Sequence, residues 1–160
     1  MEITWLGRTC FRLRGREGVV LTDPIASETG YSLGRISAEM ITLSQRNDPA
    51  ISNVKGVAGE PRVFDAPGEY EVHGILVTGI SIDLADGSRN MAYTYEIDGI
   101  HLVHLGLPDA PPAASVTEQF DDVDVLLMPV GAGSSLGATV AADLMQTIDP
   151  HIVVPMNYKT

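Results

Sequence analysis

Few residues of this 160-residue chain stand where chemistry could be done, and most of them follow apolar runs. The run 40–44 ends in Ser44-Gln45, 100–105 in His104-Leu105-Gly106, 124–130 in Pro129-Val130-Gly131, and 152–156 in Met156-Asn157. In open α/β sheets the ligand crevice lies beyond the carboxyl ends of the strands. Gln45, Asn47, Asp48, His104, Asp109 and Asn157 are therefore expected to line one pocket. Asp23 ends another run; its plain role is to cap the next turn, and a place in the pocket wall is the alternative. Magnesium or calcium would want several carboxylates, and only Asp23, Asp48 and Asp109 are on offer. A Ser–His–Asp arrangement would need Ser44 against His104 with an acid behind, and no nucleophile-elbow motif supports it.

The elements that must hold these residues come in two styles. Residues 3–6, 10–14 and 19–22 read as an antiparallel meander, the second alternating apolar with polar and the turn falling at Gly15 to Gly18. Residues 25–39 read as a loop with a weak helical turn, and 40–44 as a strand. Tyr70 to Ile82 reads as one long strand broken at Gly74 and Gly79. Asp86-Gly87 turns it onto residues 91–97, and Asp98-Gly99 turns again into residues 100–105. The last third changes character. Residues 113–120 read as a short helix capped by Ser115 or Thr117, and 124–130 is a continuous apolar run of the kind covered on both faces. A helix over 137–148 presents Val140, Ala141, Leu144, Met145 and Ile148 on one face. Residues 152–156 read as a further buried strand, which demands a parallel crossover. With no linker or repeat, residues 1–160 form one α+β / α/β domain.

Composition narrows the partners. At 44% hydrophobic and 19% charged the chain is globular. Its net charge of −11 repels phosphate backbones and anionic headgroups, so neither nucleic acid nor a membrane is expected as partner. A single Cys10, no membrane-length apolar run and no basic-then-apolar start point to a cytoplasmic protein. Cys10 reads as an inert buried thiol. His73, His101 and His151 read as surface or packing residues, and Arg46 as a cation that neutralises Asp48 or holds an anion.

Several blocks occur in a telling order: Trp5-Leu6-Gly7, Cys10-Phe11, Thr22-Asp23-Pro24, Pro67-Gly68-Glu69-Tyr70-Glu71, His104-Leu105-Gly106, the run from Asp122 to Gly131, and Pro155-Met156-Asn157-Tyr158-Lys159-Thr160. End to end they resemble the small metal-dependent hydrolases of the metallo-β-lactamase fold, a group that looks related to ascorbate-6-phosphate lactonase. The resemblance implies an αββα sandwich with a cleft for two divalent metals, usually zinc, at one edge. It also implies a Ser-His-x-His-x-Asp-His cluster after the strand ending at Ser44, a His-Leu-Gly-Asp block and a closing Pro-Met-His. Gln45, Asn47, Pro49, Ala50, Leu107 and Asn157 stand at six of those ligand positions, and only His104 matches. A one-residue slip brings Asp48 to the aspartate position, and Asp109 is a displaced substitute for the bridging one. Amides are weak ligands for zinc and Leu, Pro and Ala are none, so no metal or other cofactor is expected.

The sequence therefore points to a binding or assembly module without catalysis. The alternative is a residual metal-dependent hydrolase of lactones or phosphoesters, centred on His104 with Asp48 and Asp109. In the resembling family the chain runs on past Tyr-Lys-Thr, so bare apolar surface near residues 152–156 is expected to be covered by a homodimer or a hetero-partner.

Overall fold

The computed structural model describes residues 1–131 and 136–158. Among these residues eleven strands form two sheets. β1 (Glu2–Gly7), β2 (Cys10–Arg14), β3 (Val19–Thr22), β4 (Met40–Thr42) and β5 (Arg62–Phe64) lie side by side in that order. The second sheet runs β11-β10-β9-β8-β7-β6, built from β6 (Gly68–Val72), β7 (Ile75–Asp83), β8 (Arg89–Ile97), β9 (Ile100–His104), β10 (Val125–Pro129) and β11 (Ile152–Met156). The expected meander is β1–β3, antiparallel with Trp5 opposite Phe11 and Leu13 opposite Val20. The expected parallel crossover is β10 to β11, with Val125 opposite Ile152, through helix α2 (Ala138–Ile148).

The sheets face each other across one apolar layer. Phe11, Leu13, Met40, Val77, Tyr93, Tyr95, Leu102 and Leu127 meet there. A second layer lies beyond the other sheet, where Ala141, Leu144 and Ile148 of α2 pack against Val103, Leu126 and Met128. Over the first sheet the outer layer is made of loops and two single 3-10 turns, Ser27–Thr29 and Val54–Gly56, which bury Ile25, Ile36 and Ile51 against Leu21 and Ile41. The sandwich stands, but that side reaches its cover with coil in place of a helix. Among the described residues no helix is long and apolar enough to cross a membrane.

Two buried tyrosines lock the sheets together below the strand ends. Tyr93 Oη donates toward the Leu43 carbonyl (2.9 Å) and the Phe64 carbonyl (3.0 Å), and Tyr95 Oη shares a hydrogen bond with Thr42 Oγ1 (2.7 Å). Burial pushes both phenols far above their ordinary range, so they serve as struts and not as acids. Cys10 is fully buried and its thiol is pushed up by the same cause, which makes it inert.

Three readings of the sequence are corrected. Residues 70–82 are not one strand. The chain reverses at His73-Gly74, both with positive φ (50° and 69°), and β6 pairs antiparallel with β7 from Val72–Ile75 to Gly68–Gly79. Gly79 breaks nothing; it lies inside β7, where a side chain would strike the Ala66 carbonyl. The first helix is a single turn, α1 (Ala114–Thr117), preceded by Ala113 with no side-chain cap, so neither Ser115 nor Thr117 is its cap. β11 is an edge strand and not a buried one: Ile152 is 56% exposed. Its open edge is also blunted. Ile152 N–H already bonds Asp124 on the β10 side, and Pro155 has no N–H to offer a further strand.

Candidate functional site

Strand ends do gather the polar residues, but in two separate places. Gln45, Asn47 and Asp48 follow β4 and line an open cleft of ≈ 590 Å³, whose far wall is Asp65, Pro67 and the β7–β8 turn from Asp86 to Arg89. Gln45 is tied to the neighbouring strand end, its Nε2 donating to the Leu107 carbonyl at 2.9 Å. Asp48 Oδ1 accepts from Ala50 N–H at 2.9 Å, an Asx turn that shapes the loop. Arg46 pairs with Asp65 at 3.2 Å, so it neither neutralises Asp48 nor stands free for an anion. Asp109 lies apart from the rest: its Oδ2 accepts from Ala85 N–H at 2.6 Å and fixes the β7–β8 turn.

Beneath the cleft Asp23, Ser44, His104 and Asn157 are each 1% exposed. Asp23, at the end of β3 with φ 41°, turns its carboxylate to the end of β4. Its two oxygens accept from Ser44 N–H and Ser44 Oγ–H, both at 2.7 Å. Burial raises the Asp23 carboxyl above the usual carboxylate range, and the two Ser44 donors pull it back only in part.

His104 closes β9 and faces inward, edge-on to Phe11. Gly106 N–H donates to its Nδ1 at 3.1 Å, which requires Nδ1 to be bare. Nε2 then carries the proton and donates to the Thr9 carbonyl at 2.9 Å, while Asp23 Oδ2 at 3.8 Å is beyond hydrogen-bond reach. Neither nitrogen keeps a lone pair for another partner. Ser44 in turn touches the Gly106 turn, which Asn90 braces from the other side: its Nδ2 donates to the Leu105 carbonyl (2.8 Å) and its Oδ1 accepts from Leu107 N–H (2.7 Å). Asn90 is fully buried at the start of β8 and was not singled out from sequence; an Asn next to an apolar strand was the available signal.

Asn157 follows β11 and donates its N–H to the Arg8 carbonyl at 3.1 Å. That carbonyl also accepts from Trp5 Nε1 at 3.0 Å, and Trp5 stacks on Tyr158 at 5.5 Å. Arg8 was likewise passed over, because a lone Arg in a turn carries no motif.

Can this donor set hold zinc? Among the described residues no three His, Cys, Asp or Glu side chains come together as a metal cage. The imidazole is spent on main chain, the deep carboxylate on Ser44, and Asp48 and Asp109 on turns. Amides occupy the remaining positions. The residues do not fit the metal pair that the fold implies. The other histidines stand aside: His101 lies 4.0 Å from Glu96 and His151 3.1 Å from Asp124, both solvent-facing, and His73 sits on its turn.

Comparison with known proteins places the chain. Residues 2–157 match the β-lactamase superfamily domain. The UPF0173 protein of Pyrococcus furiosus is 31% identical over 180 aligned positions, covering 100% of this chain and 84% of the relative. A UPF0173 metal-dependent hydrolase of Archaeoglobus fulgidus is 23% identical with the same coverage. Among solved structures, a Thermotoga maritima protein assigned to the Zn-dependent hydrolases of the metallo-β-lactamase superfamily superposes with a TM-score of 0.85 at 30% identity, over 99% of this chain and 76% of that one. The expected metallo-β-lactamase sandwich is thus the observed one, and the chain belongs to the UPF0173 family of the β-lactamase superfamily.

Proposed function

We propose that this chain is a metal-free member of its family that works as a binding module, using the strand-end region as a recognition surface. The observation that carries this reading is the state of His104, the one residue matching an expected ligand. Its Nδ1 accepts from Gly106 and its Nε2 donates to Thr9, so metal binding would break a buried hydrogen bond and expose its orphaned partner. Without a metal no water is activated; Ser44 Oγ donates to Asp23 Oδ2 from a position only 1% exposed, Ser88 Oγ donates to Asp86 Oδ1, and neither hydroxyl hydrogen-bonds an imidazole among the described residues.

A second reading has the family behind it. Relatives are called metal-dependent hydrolases, and by that company a metal-dependent hydrolase is the better supported of the two; lactones or phosphoesters around His104 would be its substrates and site. The donor chemistry of this chain opposes it. Assays separate them. Lactone, thioester, β-lactam and phosphodiester substrates are expected to turn over at the buffer rate, with or without added zinc. A rate that rises on adding zinc and falls on adding a chelator would establish the hydrolase instead.

A further inference from the structure

Buried polar atoms left without partners are scarce in folded proteins, and each asks for an explanation in a missing water, ion or ligand. Four occur among the described residues, and three belong to Arg8, Thr9 and Asn157. These residues are neighbours: Thr9 follows Arg8, and Asn157 N–H bonds the Arg8 carbonyl at 3.1 Å. Arg8 Nε is buried with no acceptor, and Arg8 makes no ion pair among the described residues. Asn157, 1% exposed, has an Oδ1 that meets no donor. Thr9 Oγ1 lies toward the Asp23 carboxylate, which also takes Ser44 N–H and Oγ–H, and it closes no hydrogen bond of its own.

We infer that Arg8, Thr9 and Asn157 form a binding site for a small oxyanion, the phosphate or carboxylate group of a metabolite. The inference rests on the metal-free reading above, because Asn157 stands at a position the family gives to a metal ligand. An unpaired guanidinium is the side chain that best recognises a planar or tetrahedral oxyanion, through parallel N–H donors. A hydroxyl and an amide beside it supply further donors, the amide by turning its nitrogen inward. The stacked pair Trp5 and Tyr158, 37% and 47% exposed, adjoins the site and offers a shelf for an apolar or planar remainder of the ligand. The acidic surface of the protein does not select this ligand; the local cation does.

Trp5 is the single tryptophan and its Nε1 touches the Arg8 carbonyl, so it reports on the site directly. Inorganic phosphate and acetate, titrated separately at constant ionic strength, are expected to change its fluorescence saturably, and the stronger responder names the group. Arg8→Gln should weaken that binding by about tenfold or more, and Arg8→Lys, which keeps the charge and loses the fork, by less. Circular dichroism of both variants shows whether they fold, and Arg8→Lys keeps the test open if Arg8→Gln does not. No saturable response to either anion, in protein that is folded and free of zinc, would mean an ordered water only and overturn this inference while leaving the metal-free reading intact. Binding unchanged in both Arg8 variants would overturn it too. Zinc retained by the same protein would instead defeat the reading beneath it.

Discussion

Replacing Asp23 by Ala is expected to destabilise the protein by about 3–5 kcal/mol. Two hydrogen bonds to a carboxylate are lost, each worth roughly 1.5–3 kcal/mol, and Ser44 N–H is left buried without an acceptor. For a chain of this length that is a fall in Tm on the order of 10 °C. Asp23→Asn keeps one acceptor and tolerates the positive φ, so it should cost far less. It should also alter the pH profile in a set direction. Burial raises the carboxyl of Asp23 in the folded state, so its contribution favours folding at low pH and is lost as pH rises through the raised value. The Asn variant lacks that component, and its urea-unfolding free energy should change less across the acid range than the wild type's. An Asp23→Ala protein as stable as wild type would show that the carboxylate does not hold the ends of β3 and β4 together.

Gly106→Ala is expected to cost about 3 kcal/mol. The residue has φ 67°, where a Cβ costs roughly 1–2 kcal/mol by itself. The added methyl would also run into the Asn90 amide and the Ser44 Cβ, and overpacking a filled site costs a further ~1–3 kcal/mol. Asn90 cannot retreat without releasing Leu105 and Leu107. Gly87→Ala is the control: its φ is 83°, but a Cβ there meets nothing within 4 Å, so only the backbone cost applies. Thermal unfolding of the two variants side by side decides the matter. Equal losses would mean that the Gly106 turn is not packed against the site as described.

How much of this was legible beforehand differs by element. The meander β1–β3 and the crossover β10–α2–β11 follow from period-two alternation, a glycine-bounded turn and a helix with one apolar face, signals that local physics writes into sequence. The reversal at His73-Gly74 was hidden because His in a left-handed turn is less distinctive than Asn or Asp, and the alternation runs on through it. β11 looked buried because an apolar run records hydrophobicity, not whether a neighbour covers it.

For the site, the strand-end rule brought Gln45, Asn47 and Asp48 to one cleft, while Asp23, whose plain reading was a turn cap, instead holds Ser44. It failed to separate the open cleft from the buried network beneath it, and it misplaced Asp109. The decisive feature, that both His104 nitrogens are committed, depends on the Thr9 carbonyl and the Gly106 N–H. Main-chain groups leave no mark on residue identity. Arg8 and Asn90 were missed for the related reason that their importance lies in which partners they have or lack, and only the fold assigns partners.

On the reading proposed above, a protein with this family's fold holds no metal where several relatives are named for one. Elemental analysis tests it most directly, on protein purified without chelator, incubated with zinc and dialysed. Zinc, iron and manganese are each expected far below one equivalent per chain. Close to one equivalent of metal retained, and lost in a His104→Ala variant, would contradict that reading and return this chain to the hydrolases.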